Sequence, residues 1–119
     1  MKVVKPWGFY EVLGKGKNYL VKKLVVKPGH RLSLQVHKLR SEYWVVVQGK
    51  AKVILGEDVK FLNEGDYIYV PWAVQHRLEN PNPTDLVVIE IQFGICREDD
   101  IIRLIDDYGR NTTSYPRKA

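Results

Sequence analysis

Hydrophobic and polar residues alternate along most of the chain, and glycine, proline and asparagine interrupt the pattern at intervals of roughly eight to twelve residues. Short alternating runs bounded by turn residues are typical of antiparallel β-strands. The runs are KPWGFYEVL, YLVKKLVV, HRLSLQVHK, three strands within EYWVVVQGKAKVILGEDVKFLNEGDYIYVP, a return strand in WAVQHRLE, and DLVVIEIQFG. The pattern predicts an all-β sandwich or barrel with turns near Gln48–Gly49, Gly56–Asp58 and Asn63–Asp66.

The segment REDDIIRLIDDYGR has a different pattern. The acidic residues 98–100 suit a helix N-terminus, and Ile101, Leu104 and Ile105 fall on one face of a helix. Gly109 is a typical residue at a helix end. We therefore expect a short C-terminal helix after the last strand.

The length and composition indicate one domain over residues 1–119, with a core at about 5–110 and a polar, poorly ordered tail at 111–119. The chain has 119 residues, of which 45% are hydrophobic, enough for one core. No apolar run approaches the ~20 residues of a membrane span, and the start MKVVKPWGF lacks the apolar core of a secretory signal. We expect a cytoplasmic protein that does not bind a membrane.

Charge and cysteine content narrow the chemistry. The formal net charge is +5, which suits either nucleic acid or an anionic small molecule. The basic residues are scattered, and no basic helix, zinc-finger spacing or aromatic RNA-binding strand accompanies them, so no nucleic-acid partner is expected. Cys96 is the single cysteine, which excludes an internal disulfide and a thiolate cluster. It is expected to be a small hydrophobic residue.

Four side chains could surround one divalent cation. Gln35 and His37 are two residues apart and project from the same face of a strand, and Glu42 returns beside them after a short polar turn. His76 lies in a second turn-bounded stretch, EGDYIYVPWAVQH. Nitrogen and oxygen donors without sulfur leave zinc, manganese, iron, cobalt and nickel open, and the free positions indicate a catalytic type of site. His30 follows a Pro-Gly turn and is expected at the rim or surface.

These residues resemble the two-part motif of the cupin superfamily. The matching positions are Gly29, Gln35, His37, Glu42, Gly49, Gly65, Pro71, His76 and Asn80. Gln35 replaces the usual first histidine, and Ala73 replaces a usual glycine. The segments KPWGFYEVL, QVHKLRSEYWVVVQGKA and EDDIIRLIDDYGR are similar to the isomerase portion of type II mannose-6-phosphate isomerases, which is often fused to a mannose-1-phosphate guanylyltransferase. The resemblance implies a double-stranded β-helix, or jelly roll.

The resemblance also implies an activity, a metal-dependent interconversion of mannose 6-phosphate and fructose 6-phosphate through an enediolate. A cation held by the four donors would stabilise the enediolate, and a further side chain would carry the proton. Glu90 is the first candidate for this role because it interrupts the apolar run VVIEIQF. Lys22, in YLVKKLVV, is the second.

The phosphate of such a substrate needs cationic partners, and arginine can bind it through two parallel hydrogen bonds. Arg40 lies in the donor-bearing hairpin, and Arg103 and Arg110 lie in the late segment that resembles the isomerases. Gln92 shares a strand face with Glu90 and is a further candidate for substrate binding.

Three departures from the family limit what can be transferred. No nucleotidyltransferase domain precedes this domain, so guanylyl transfer is not expected from the chain itself. The turn FGICREDD is about one residue shorter than usual, which puts the identity of the substrate in doubt. Tyr43 stands where histidine is common, which removes a potential donor or proton carrier near the cation.

Two other functions suit the same residues. One is a non-catalytic module that binds a sugar or nucleotide sugar and works with a separate guanylyltransferase. The other is a different metal cupin, such as an oxygenase. A homodimer is also expected, because cupins commonly pair and because WGFY would supply an exposed aromatic edge strand.

Overall fold

Two antiparallel β-sheets make up the fold of residues 1–111, which are the residues that the computed structural model describes. The strands are β1 (Lys2–Lys5), β2 (Gly8–Lys15), β3 (Tyr19–Val26), β4 (Leu34–Val36), β5 (Arg40–Gln48), β6 (Ala51–Leu55), β7 (Asp58–Leu62), β8 (Tyr67–Val70), β9 (His76–Glu79), β10 (Leu86–Gly94) and β11 (Ile102–Ile105). The larger sheet has the order β1-β2-β3-β10-β5-β8, and the smaller sheet has the order β11-β4-β9-β6-β7. The all-β prediction is confirmed.

The chain passes repeatedly between the two sheets from β3 onward, which rolls the sandwich as a jelly roll requires. The three predicted turns are present between β5 and β6, β6 and β7, and β7 and β8. Gly49 has a φ of 87° in the first of them, a conformation that favours glycine.

The predicted C-terminal helix is wrong. Ile102–Ile105 form β11, which pairs antiparallel with β4 and places Arg103 opposite Gln35. This pairing satisfies backbone groups at the edge of the smaller sheet and suits β-branched residues. Beyond it, the Asp106 carboxylate accepts the backbone N–H of Arg110 at 2.6 Å, so the segment that ends near Gly109 is a turn.

The interior has an apolar half and a polar half. Along three adjacent strands the inward-facing positions change from hydrocarbon to polar groups: Val26, Leu24 and Lys22 on β3, Val46, Trp44, Glu42 and Arg40 on β5, and Leu86, Val88, Glu90 and Gln92 on β10. The apolar half joins Val53 and Leu78 of the smaller sheet, and Leu32 just before β4, in one core. The polar half leaves a pocket at the other end of the same interior.

The aromatic residues of WGFY do not form an exposed edge. Trp7 is 5% exposed and Tyr10 is 8% exposed, and the outermost strand is β1. Gly8 allows this packing, because a Cβ atom there would lie 2.0 Å from the carbonyl oxygen of Val25. The exposed aromatic edge that partly supported the homodimer is therefore wrong, and the homodimer itself stays a prediction.

The structure bears on two other expectations from the sequence. Within residues 1–111 there is no helix long and apolar enough to cross a membrane. Residues 112–119 lie outside the described residues, and most of the predicted polar tail falls there. The assignment of residues 1–119 to one domain stays a prediction.

Candidate metal centre and adjoining anion pocket

Three of the predicted donors meet between the two sheets. His37 follows β4, Glu42 lies on β5, and His76 begins β9. One ligand atom from each residue lies within 4.8 Å of the other two, and all three residues are buried. The structure therefore brings the imidazole of His76, which is distant in the sequence, beside the imidazole and carboxylate of one hairpin.

The turn between β4 and β5 is fixed from two sides. The Asp100 carboxylate accepts the backbone N–H groups of Lys38 and Leu39, each at 2.9 Å. From the other side, the backbone N–H of Ala73 donates to the carbonyl oxygen of His37 at 2.7 Å. Ala73 has a φ of 64°, the left-handed conformation that explains why a glycine is usual at this position.

Backbone carbonyl groups orient both imidazoles. The Nδ1–H of His37 donates to the carbonyl oxygen of Asp100 at 2.6 Å, and the Nδ1–H of His76 donates to that of Val74 at 2.9 Å. In each ring this leaves the Nε2 lone pair facing the site, where the Nε2 of His37 lies 3.2 Å from Arg40 Nη2. Burial lowers the pKa of both histidines to about 4, and the charge of Arg40 contributes at His37. Both rings are therefore neutral near pH 7.

The polar atoms that face the site have the separations expected of a cation site. His37 Nε2 lies 3.4 Å from Glu42 Oε2, and His76 Nε2 lies 4.0 Å from Glu42 Oε1. Among residues 1–111, neither Glu42 Oε1 nor His76 Nε2 has a hydrogen-bond partner, although both atoms are buried. Buried lone pairs without a partner cost free energy, and a cation at ~2.1 Å from each donor would satisfy them. The residues fit a divalent cation.

The fourth predicted donor, Gln35, lies opposite His76 in the smaller sheet. Its Nε2 is 3.3 Å from His37 Nε2, and its Oε1 accepts a hydrogen bond from the Ser33 hydroxyl at 2.8 Å. Rotation of the amide by 180° would turn Oε1 toward the site, and the Ser33 hydroxyl could then accept from Nε2. Ligation by Gln35 requires this rotation and stays a prediction.

Arg40 is buried beside the donors and also lines the adjoining pocket, so its predicted role in substrate binding stays a prediction. Its Nε donates to Glu42 Oε2 at 2.8 Å, and its Nη1 donates to the carbonyl oxygen of Arg97 at 2.9 Å. Its Nη2 lies 3.2 Å from His37 Nε2. The guanidinium thus holds the carboxylate in place from one side and balances its charge.

Glu90 and Gln92 continue the polar surface on β10. Trp44 Nε1 donates to Glu90 Oε2 at 2.9 Å, and Gln92 Nε2 donates to Glu90 Oε1 at 2.7 Å. Burial raises the pKa of Glu90, and the charge of Glu42 raises it further. Gln92 is fully buried and lies opposite Glu42 in the larger sheet, and its predicted role in substrate binding stays a prediction.

A pocket of about 110 Å³ adjoins the donors and is lined by cationic and aromatic residues and by the carboxyl groups of Glu90 and Glu98. Lys5, Lys22, Arg103 and Arg110 contribute the charge, and Trp7 and Tyr10 are among the aromatic residues. Arg110 Nη2 lies 3.0 Å from Asp106 Oδ1, which fixes that side chain at the mouth. Such a lining suits an anion attached to a ring with apolar faces.

Several residues of this site were missed from the sequence. Ser33 lies two residues before Gln35 on the same strand face, so the alternation contained a signal for it. Lys5, Trp7 and Tyr10 were assigned to an exposed edge. Glu98, which also lines the pocket, was assigned to a helix. Nothing in the local pattern places these four residues in a pocket.

Tyr43 does not belong to the interior. It lies on the outer face of the larger sheet, where its ring centroid is 4.9 Å from that of Tyr69 and 5.9 Å from that of Phe93. The interpretation of Tyr43 as a lost donor near the cation is therefore wrong, because residues 42 and 43 face opposite sides of β5.

The rolled pair of antiparallel sheets, with buried imidazoles and a carboxylate facing the interior, defines the chain as a cupin. The structure of the cupin domain of Cnp3 from Schizosaccharomyces pombe is similar, with a TM-score of 0.70 and 12% identity, and the match covers 73% of this chain and 64% of that one.

Residues 1–107 match the protein family described as "Mannose-6-phosphate isomerase C-terminal", and the chain belongs to this family. It is 48% identical over 110 residues to the xanthan biosynthesis protein XanB of Xanthomonas campestris, a match that covers 92% of this chain and 24% of XanB. It is 46% identical over 110 residues to the mannose-1-phosphate guanylyltransferase of Escherichia coli K12, covering 92% of this chain and 23% of that enzyme.

The prediction of a stand-alone mannose-6-phosphate isomerase is wrong. The chain spans about a quarter of the length of these relatives, and the Escherichia coli relative is named for guanylyl transfer. The matching domain is one part of larger proteins, which favours the alternative prediction of a sugar-binding cupin that works with a guanylyltransferase. The proton-carrying roles of Glu90 and Lys22 belonged to the isomerase reaction and stay predictions.

Proposed function

We propose that this chain is a non-catalytic cupin that binds a sugar phosphate, or the sugar phosphate end of a nucleotide sugar, and works with a guanylyltransferase. The observation that carries the proposal is that the candidate metal site and the pocket are adjacent within the same interior. The cluster of His37, Glu42 and His76 adjoins a pocket lined by cationic and aromatic side chains.

One divalent cation would be held by His37, Glu42 and His76, with the amide of Gln35 as a fourth donor. Neutral imidazoles and a carboxylate suit zinc, manganese, iron, cobalt or nickel. A bound cation would supply a positive centre for sugar hydroxyl groups, and the ring nitrogens fixed by Asp100 and Val74 would keep the donors in place.

The phosphate would lie toward the mouth of the pocket, where Arg103 and Arg110 are joined by Lys5. Trp7 and Tyr10 would pack against the apolar face of the sugar ring. The volume of about 110 Å³ is small for a ligand pocket, which argues against enclosure of an entire nucleotide sugar.

Partnership with a guanylyltransferase is supported by the Escherichia coli relative, whose name gives mannose 1-phosphate as the compound it acts on. A domain that retains mannose 1-phosphate or the guanylylated product would raise its concentration near the transferase. The guanylyltransferase is thus the proposed protein partner.

The test is calorimetric titration of the metal-loaded chain with mannose 1-phosphate, mannose 6-phosphate and GDP-mannose, combined with an assay for fructose 6-phosphate. We expect saturable binding of at least one of these compounds and no fructose 6-phosphate. Arg103→Met should weaken binding by roughly tenfold, since it removes a cation from the mouth. Lys60→Met, on the exposed strand β7, should leave binding unchanged.

Either of two results would overturn the proposal. The first is the absence of binding by all three compounds to the folded, metal-loaded chain. The second is formation of fructose 6-phosphate at a rate that depends on His37.

A further inference from the structure

Lys22 is a buried ammonium group that forms an ion pair with a carboxylate from an exposed segment. Lys22 is 5% exposed and lies on β3, and its Nζ is 4.0 Å from the centroid of the Tyr10 ring. Its hydrogen-bond partner is Glu98 Oε2, at 2.5 Å. Glu98 belongs to the connection between β10 and β11, and 59% of its side chain is exposed. The Glu98 carboxylate therefore points from the exposed segment inward to the buried ammonium group of Lys22.

The neighbours of this pair do not replace the Glu98 charge. Glu90 lies opposite Lys22 in the larger sheet, but its burial raises its pKa and favours the neutral acid. The remaining charged groups that line the pocket are cations: Lys5, Arg40, Arg103 and Arg110. Arg40 is paired with Glu42, and Arg110 is paired with Asp106. Loss of Glu98 would therefore leave the Lys22 ammonium without its counter-ion and make the lining more positive, which favours phosphate binding.

Glu98 is also the member of the pair that can leave. A buried lysine needs an anionic or polar partner because the charged group has lost its water. An exposed glutamate on a connecting segment can turn into solvent and regain its hydration. The pocket of about 110 Å³ is small with Glu98 in place, and outward rotation of this side chain would enlarge it.

We infer that Lys22 is an anion subsite of this pocket, and that the Glu98 carboxylate occupies it as an internal competitor of the phosphate of the ligand. A phosphate that enters takes over the hydrogen bond of Lys22 and displaces Glu98 toward solvent. The inference rests on the proposed binding of a sugar phosphate. It assigns Lys22 to binding and makes Glu98 a determinant of affinity for anionic ligands.

The chain offers a matched pair of variants for the test. Glu98→Gln removes the competing charge and keeps the size of the side chain. Asp99→Asn changes the net charge by the same amount on the adjacent residue, which pairs with Arg97 at the surface. The dissociation constants of inorganic phosphate, mannose 1-phosphate and neutral mannose are measured by calorimetry or by chemical-shift titration.

We expect Glu98→Gln to tighten phosphate and mannose 1-phosphate by roughly fivefold, the scale of one competing ion pair, and to leave neutral mannose unchanged. Asp99→Asn should change each constant less than about twofold. Phosphate affinity that stays the same or falls in a folded Glu98→Gln variant would overturn the inference. An equal gain in Asp99→Asn would also overturn it, because net charge would then be the cause.

A second measurement covers the case in which Glu98→Gln fails to fold. In the ¹³C-labelled wild-type chain, saturation with inorganic phosphate should move the side-chain carboxyl resonance of Glu98 toward that of a solvated glutamate. A resonance that does not move at saturation would contradict displacement. These results are separate from the proposed function. If neither the wild type nor Glu98→Gln binds any sugar phosphate, the proposed function fails. If both bind sugar phosphate with equal affinity, only the competition between Glu98 and the phosphate is overturned.

Discussion

His37 Nε2 and Glu42 Oε2 lie 3.4 Å apart across the gap between the two sheets. His37 leaves the smaller sheet at the end of β4, and Glu42 lies on β5 of the larger sheet. The turn between them determines whether these donors meet. That turn is held by the carboxylate of Asp100 and by the backbone of Ala73.

Ala73→Gly should make the protein more stable. Ala73 has a φ of 64°, a conformation that costs a residue with a Cβ atom about 1 kcal/mol. The expected gain in the free energy of unfolding is roughly 0.5–1 kcal/mol, measured by urea denaturation. Ala51→Gly is the control and should lower the free energy of unfolding, because Ala51 is fully buried in β6 and glycine weakens a strand. Loss of stability in Ala73→Gly would contradict the strained turn.

The metal-free protein should lose stability as the pH falls from about 6.5 to about 4. Burial lowers the pKa of His37 and His76 to about 4, whereas histidines of the unfolded chain titrate near 6.5. Between these values the unfolded chain binds more protons, so acid favours unfolding. Above pH 6.5 the rings are neutral in both states and contribute no pH dependence. Each histidine contributes on the order of 3 kcal/mol to the loss of stability across this window.

Urea denaturation at several pH values measures this effect. His76→Gln removes one titrating group and should flatten the slope of stability against pH between 4 and 6.5. His30→Gln is the control, because His30 lies outside the donor cluster and bonds to the carbonyl oxygen of Pro28. Equal slopes in wild type and His76→Gln would show that His76 is not held neutral.

Arg40→Met should destabilise the metal-free protein and increase its response to metal. The change leaves Glu42 as a buried carboxylate without its guanidinium partner, which costs roughly 3 kcal/mol. A divalent cation at the donors would restore the missing positive charge. The increase in melting temperature on adding zinc should therefore be larger in Arg40→Met than in wild type.

Arg97→Met is the control for this prediction. Arg97 pairs with Asp99, and both side chains are largely exposed, so the pair contributes less than about 1 kcal/mol. Zinc should stabilise this variant and the wild type equally. Equal stabilisation of Arg40→Met and wild type would contradict the position of the cation beside Glu42.

The donors were predictable from the sequence because they follow the strand period. Gln35 lies on β4 and His37 directly follows that strand two residues along, and the buried positions of β10 include Glu90 and Gln92 in the same alternation. His76 was predicted from the spacing of the second part of the cupin motif. The apolar ends of the same strands identified the core.

The residues that complete the pocket were not predictable in this way. The pair of Lys22 and Glu98 joins positions 76 residues apart, and no periodicity connects them. Trp7 packs inward only because Gly8 allows close contact with β3. At residues 101–105, helical and strand periodicities both fit the short apolar pattern. Pairing with β4 decided between them, and that contact is also long-range.

Zinc titration of the metal-free chain by calorimetry tests the central claim most directly, namely that His37, Glu42 and His76 converge on one cation. We expect one site per wild-type chain, at least roughly tenfold weaker binding in His76→Ala, and unchanged binding in His30→Ala. Equal affinity in wild type and His76→Ala would contradict the claim.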